Sequence, residues 1–268
     1  MFLSLLKLKK MISINTIDYT IAGIRPYHFW AIIGITVALS VGMFLYKRAQ
    51  VSVVYAIRSI IMSAPALLIC AVVFGAIYSF IKETLLTGRV DLHSLLYGGI
   101  VFYGGLTGFV LSYLFIWRKK DEVSRKSAMD VCAVLIPLFH SFARLGCFFA
   151  GCCYGKSTSQ AFGIEYTNMI DGASVTQVRI PTQLIESSFE AIVFLLMLFM
   201  FLQSINKGRL LWIYLTVYSV YRFFAEFLRG DWDRSILPVL SFSQVYSILV
   251  LISIAVLIIH KRKGSALV

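Results

Sequence analysis

Seven apolar runs separated by short polar connections pattern this chain, at about 28–46, 62–81, 97–117, 128–149, 182–203, 210–228 and 240–259. Each approaches or exceeds the roughly 20 residues needed to cross a bilayer. The pattern predicts an all-α integral membrane protein of seven transmembrane helices, a single membrane domain over residues 1–268. The stretch 50–61 sets Arg58 among apolar residues and reads as an interfacial helix. The longest polar stretch, about 154–181, lies between the fourth and fifth runs and predicts a small extracytoplasmic cap.

Composition agrees with the pattern. Of 268 residues, 59% are hydrophobic and 14% charged, whereas a soluble domain is about one quarter charged. The formal charge of +12 sits in short clusters between apolar runs, which suits loops facing anionic lipid rather than a nucleic-acid groove. Lys47-Arg48, Arg118-Lys119-Lys120 with Arg125-Lys126, Lys207 with Arg209, and Lys261-Arg262-Lys263 follow the first, third, fifth and seventh runs. By the positive-inside rule the N-terminus is outside and the C-terminus cytoplasmic. Lys7, Lys9 and Lys10 oppose that orientation, and a start at Met11 would remove the conflict.

Ionisable groups inside apolar runs are costly and mark cavities or partners. His140 and Arg144 are four apart and share a helix face, as do Arg222 and Glu226 in "YRFFAEFLRGD", with Arg229 one turn further on. Glu186 opens the fifth run. One local ion pair would serve packing alone. Three arginines near one leaflet imply instead an anion, and a lipid phosphate lies at that depth. Gly104 and Gly105 in "YGGLTG", and Gly146, Gly151 and Gly155 in "LGCFFAGCCYG", permit close backbone approach beside these charges.

At these residues the chain resembles the prolipoprotein diacylglyceryl transferases. The family signature Gly-Arg-x-Gly-Asn-Phe-x-Asn-x-Glu-x-x-Gly-Arg is similar to "ARLGCFFAGCCYGK", with Arg144, Gly146, Phe148 and Gly155 kept and Lys156 for the last arginine. Tyr27 falls where the family has a functional tyrosine, and "FYGGLTG" resembles its His-Gly-Gly-Leu segment. "IPTQLIES", with Glu186, "YRFFAEFLRGD", with Arg222, Glu226 and Arg229, and "SFSQVYS" resemble further family segments in order, over roughly residues 20–260. The departures lie at the chemistry. Tyr103 stands for the histidine, Cys147 and Ala150 for the asparagines, and Cys152 for the glutamate, a form similar to that of a divergent subgroup.

The resemblance implies a multi-pass inner-membrane enzyme that moves diacylglycerol from phosphatidylglycerol to the lipobox thiol of a preprolipoprotein, releasing glycerol phosphate. On it, Arg144, Arg222, Glu226, Tyr103 and Cys152 are the candidate catalytic residues. Tyr27, Gly104, Gly105, His140, Gly146, Cys147, Cys153, Gly155, Lys156, Glu186 and Arg229 are the candidate substrate-binding residues. Arg144 and Arg222 would stabilise the departing phosphate, with Glu226 orienting Arg222. Tyr103 or His140 would take the proton, unless His140 is a packing residue bonded to a neighbour. The cysteines admit three readings: small packing residues, a nucleophile at Cys152 or Cys153, or metal or redox use, metal being the poorer option for want of a fourth ligand. No cofactor, metal, nucleic acid or second copy of the chain is expected. The alternatives are a transferase of the same fold with another acceptor, and a non-catalytic phospholipid-binding or transport protein.

Overall fold

The computed structural model describes residues 13–15, 20–21, 23–97, 99, 101–170, 173–230 and 240–265. Lys7, Lys9, Lys10 and Met11 lie outside them. The described residues form α1 (Pro26–Arg48), α2 (Val53–Thr87), α3 (Phe102–Trp117), α4 (Glu122–Phe149), α5 (Thr182–Leu202), α6 (Leu210–Ala225) and α7 (Phe242–Ser265). Three strands, β1 (Ser13–Asn15), β2 (Ile164–Ile170) and β3 (Ala173–Arg179), make one small sheet in the order β1-β2-β3.

Five helices, α1, α2, α4, α5 and α7, are long and apolar enough to cross a membrane, and α3 is a shorter apolar helix of 16 residues. The chain is therefore a multi-pass membrane protein. Each of the seven apolar runs contains a helix, but α3 and α6, at 16 residues each, rise only about 24 Å against a hydrocarbon core of about 30 Å. The interfacial helix expected over 50–61 is not a separate element. Residues 53–87 form one 35-residue helix, because no glycine interrupts its first five turns and Pro65 is accommodated within it. At about 52 Å that helix exceeds the apolar core. The stretch expected as a cap carries the β2–β3 hairpin, an element of structure that its polarity alone did not predict.

The chain divides into two compact units. The first comprises Met1–Gly42, Cys132–Ile205 and Phe224–Asp233. Within it, β2 and β3 pair antiparallel from Ile164↔Arg179 to Ile170↔Ala173, and β1 runs parallel to β2. Phe148, Ile164 and Tyr166 are buried together, with Phe149, Tyr154 and Leu184 packed against them. Trp30 of α1 stacks on Phe149 of α4 at 5.4 Å between centroids. A Cβ on Gly34 would stand 2.8 Å from Phe142 Cβ, so glycine sets this close approach of α1 to α4.

The second unit comprises Met43–Val131, Asn206–Phe223 and Arg234–Val268. Here α3 lies along α2. A Cβ on Gly104 would meet Phe74 Cβ at 2.6 Å, and one on Gly108 would meet Cys70 Cβ at 2.7 Å. Asp130, buried in α4, accepts the backbone N–H of Gly208 and, at 3.0 Å, that of Leu210, and so caps α6. Ser241 and Gln244 form a capping box on α7: Gln244 N donates to Ser241 Oγ at 3.3 Å, and Ser241 N donates to Gln244 Oε1 at 2.9 Å.

Candidate functional site

In the first unit, α5 and the part of α4 from Cys132 onward face each other through four polar side chains. Thr182–Leu202 presents Glu186 and Glu190 one turn apart, and α4 presents His140 and Arg144 in the same spacing. Arg144 Nη2 lies 3.0 Å from Glu186 Oε1, with 11% and 2% of the two side chains exposed. Arg144 Nε donates to His140 Nε2 at 3.2 Å. A ring nitrogen that accepts carries no proton, so His140 is the neutral Nδ1–H tautomer, and Nδ1 donates to Glu190 Oε1 at 3.0 Å. The result is a buried relay, Glu190–His140–Arg144–Glu186, that fixes the guanidinium plane. His140 sits inside it as a positioning group, since both its ring nitrogens are engaged. Glu186 matches the charge of Arg144. The guanidinium therefore offers directed N–H donors rather than an excess positive charge.

The cysteine segment follows from how α4 ends. Gly151, at φ 62°, lets its own N–H donate to Phe148 O at 3.0 Å and the Cys152 N–H to Cys147 O at 3.1 Å. That pair of bonds is a Schellman motif, which turns the chain back over the last helical turn. Cys152 thus returns to Cys147, and the three thiol sulfurs of Cys147, Cys152 and Cys153 lie within 4.8 Å of one another. Cys153 itself has φ 63°, a conformation that a non-glycine residue keeps only when its surroundings hold it. They do. Thr182 Oγ1 donates to Cys153 O at 3.0 Å, and Gln183 Nε2 donates to Cys152 O at 2.6 Å. Hydrogen bonds from Cys147 and then Cys152 pull the Cys153 thiol below its ordinary range, with Arg229 and Arg144 adding to the effect. Hydrogen bonding with Cys147 and Cys153, then burial, pushes Cys152 up. All five cysteines are free thiols.

The rest of the signature is tied down by backbone. Gly155 N donates to Ile180 O at 2.8 Å and Lys156 N to Leu228 O at 2.9 Å, and Gly155 and Arg229 form an antiparallel bridge. A Cβ on Gly155 would stand 2.7 Å from Leu228 O, so the glycine is required by this strand-like crossing. Arg229 is buried and close enough to Cys153 to act on its charge, while Lys156 is exposed. Glu226 is buried at the start of the Glu226–Leu228 turn, and its carbonyl accepts the Arg229 N–H at 3.1 Å. Gly146 packs against the backbone of Tyr27, whose phenol is half-exposed and within electrostatic range of Cys147 and Arg144.

Tyr103, Gly104, Gly105 and Arg222 belong to the second unit. Arg222 Nε donates to Tyr103 Oη, and Nη2 donates to Ser243 Oγ at 3.4 Å, with both Arg222 and Tyr103 buried. The Tyr103 ring lies 4.6 Å from that of Tyr246, whose hydroxyl bonds Thr107 at 2.6 Å. Gly104 and Gly105 face α2; close packing requires the glycine at 104, whereas a Cβ at 105 would make only ordinary contact, 3.5 Å from Leu67 and 3.6 Å from Ala71.

Several positioning residues carry no functional signal of their own in the amino-acid sequence. Glu190 is four residues beyond Glu186 on the same face, a spacing that could have found it. Thr182 and Gln183 were visible only as flanks of Glu186. Arg179 stacks on Tyr154 at 4.6 Å and donates to Gly230 O at 3.1 Å. Gln183, fully buried, also accepts from Tyr166 Oη at 3.2 Å. Gln183→Leu should lower stability by about 1–3 kcal/mol, since it strips the acceptor from the buried Tyr166 hydroxyl and the donor from the Cys152 carbonyl. Thermal unfolding in detergent would measure this, and faster alkylation of Cys152 would report the loosened loop.

The chain matches the family described as prolipoprotein diacylglyceryl transferase over residues 16–260. It is 35% identical over 155 residues to the phosphatidylglycerol–prolipoprotein diacylglyceryl transferase of Clostridium tetani, covering 58% of this chain and 61% of that protein. It is 29% identical over 248 residues to the protein named phosphatidylglycerol–prolipoprotein diacylglyceryl transferase 2 of Clostridium perfringens, covering 91% and 94%. With the phosphatidylglycerol–prolipoprotein diacylglyceryl transferase of Campylobacter hominis the identity is 33% over 133 residues, 49% of this chain and 44% of that one. The family match spans every segment that supplies the charged and thiol-bearing residues described above, and the chain belongs to the prolipoprotein diacylglyceryl transferase family.

Proposed function

We propose that this protein transfers diacylglycerol from phosphatidylglycerol to the lipobox cysteine thiol of a preprolipoprotein and releases glycerol phosphate. The observation that carries this reading is the buried Arg144 guanidinium, oriented by Glu186 on one side and by the His140–Glu190 pair on the other. Displacement at a saturated glycerol carbon needs a stabilised leaving phosphate, an ionised thiol and little water. In the first unit Arg144 serves the phosphate through fixed donors and Arg229 through charge, with Glu226, Tyr27, Gly146, Gly155 and Lys156 as substrate-side residues; in the second unit Arg222 is the phosphate-binding candidate, and Tyr103 acts with it. A covalent lipid on Cys152 is a poor intermediate, because a thioether would have to expel a thiolate from saturated carbon. The thiols therefore serve the acceptor side.

The protein works as a monomer in the bacterial inner membrane, crossing seven times with its N-terminus outside. The basic clusters at Lys47-Arg48, Arg118–Lys120, Lys207 with Arg209, and Lys261–Lys263 support that orientation. The test is glycerol phosphate release by purified protein from phosphatidylglycerol vesicles, with and without a lipobox peptide. Release that requires the peptide, and a peptide heavier by one diacylglyceryl group, are expected. Release without the peptide would identify another acceptor, a reading favoured by Tyr103, Cys147 and Cys152 at positions where the family resemblance has other polar groups. No release under any condition would overturn the enzyme assignment.

A further inference from the structure

We infer that Cys147, Cys152 and Cys153 hold a zinc ion whose fourth position is kept for the acceptor's own thiol. The inference rests on the transferase reading and supplies what that reading lacks, a means of ionising the acceptor sulfur. A cysteine thiol has an ordinary pKa of about 8.5 and is mostly protonated near neutral pH. Tyr103, which stands where the resemblance has a histidine, is engaged with Arg222.

The three sulfurs lie within 4.8 Å of one another. Tetrahedral Zn–S bonds of about 2.3 Å place sulfurs about 3.8 Å apart, so the cluster closes on the metal by a contraction of about 1 Å that thiol rotation supplies. The backbone is built for this. Adjacent cysteines reach one metal only across a sharp turn, and Cys153 provides it at φ 63°. The Schellman turn at Gly151 brings both back to Cys147, and Thr182 and Gln183 clamp the two cysteine carbonyls. Three thiolates and a substrate thiolate leave the zinc set doubly negative, and Arg229 lies within electrostatic range of Cys153 to offset part of that charge.

Among the described residues no histidine, aspartate or glutamate joins the three thiols. A structural zinc is closed by four protein ligands, whereas a reactive one keeps a position open. In the reaction, the lipobox thiol displaces a zinc-bound water, gives its proton to solvent and binds as thiolate. Its sulfur electron pair then forms the S–C bond to the glycerol carbon as the C–O bond to phosphate breaks, and that bonding pair leaves on the phosphate oxygen. The thioether product is a weak ligand, and water replaces it.

The full-length protein in detergent, reduced and given zinc and then freed of excess, should retain one zinc per chain by elemental analysis. Cys147→Ser, Cys152→Ser and Cys153→Ser should each lower retention at least tenfold while unfolding at temperatures close to wild type. Cobalt(II) in place of zinc should give a thiolate-to-metal charge-transfer band in the unmutated protein. A lipobox peptide should shift the cobalt bands, and its serine analogue should not. Substoichiometric metal, a disulfide among the three cysteines in active protein, or cobalt bands indifferent to the peptide thiol would overturn the inference. Full transfer by chelator-stripped, metal-free protein would overturn it while sustaining the transferase reading. Peptide-dependent cobalt shifts with no glycerol phosphate release would sustain the site and overturn that reading.

Discussion

Arg144→Ala should abolish transfer, lowering peptide-dependent glycerol phosphate release by at least about a hundredfold, the scale on which removal of one preorganised donor acts. The structure gives this substitution two separable effects. It removes the donors held by Glu186 and His140, and it leaves the Glu186 carboxylate buried without its cation. Breaking a buried pair from one side costs about 3–5 kcal/mol. Thermal unfolding would report that loss independently of activity. Arg144→Ala with Glu186→Gln should recover much of the stability and none of the transfer. If the double variant regains transfer, Arg144 serves packing and not the phosphate. His140→Asn belongs to the same test. As a positioning group, His140 should affect kcat more than KM and leave the pH profile unmoved, whereas a proton acceptor would lose its acid limb.

Arg222→Ala should have a comparable effect in the second unit. The guanidinium donates to Tyr103 Oη and Ser243 Oγ from a buried position, so alanine removes both contacts together. Arg222→Lys keeps the charge but not the planar fork, and should restore stability more than rate. Tyr103→Phe separates the two candidate roles of the phenol. If the hydroxyl holds the guanidinium in place, its loss should cost about tenfold in rate with an unchanged pH dependence, the energy of one hydrogen bond to a charged group. If the pH profile loses a limb instead, Tyr103 handles the proton. Both measurements use the same vesicle and peptide assay.

Much of the charged chemistry was legible because helical spacing is short-range. His140 and Arg144, four residues apart, share a face, as their spacing implies, whereas the position of Glu186 beside them was not legible. Partner choice was less legible. Spacing groups charges only within a helix, whereas the structure pairs Arg144 with Glu186, 42 positions away, and gives His140 to Glu190. The glycines of "YGGLTG" are consistent with close helix approach or with contact to a ligand; Gly104 and Gly108 are required by the approach of α2, and a missing Cβ has the same sequence signature in either use. Asp130, inside an apolar run, would suggest function, yet it caps α6, whose N-terminus is 80 residues further on.

Alone, the amino-acid sequence determined that apolar runs must become helices, because backbone polar groups in lipid have to be satisfied within their own segment. It also determined the family, through ordered local motifs. What only the tertiary structure decided is which distant groups meet. The β2–β3 hairpin, the clamp of Thr182 and Gln183 on the two cysteine carbonyls, and the gathering of three thiols depend on contacts up to 31 positions apart along the chain. Those contacts are set by packing and by the demand that buried polar groups find partners, and neither leaves a periodic mark in a single sequence.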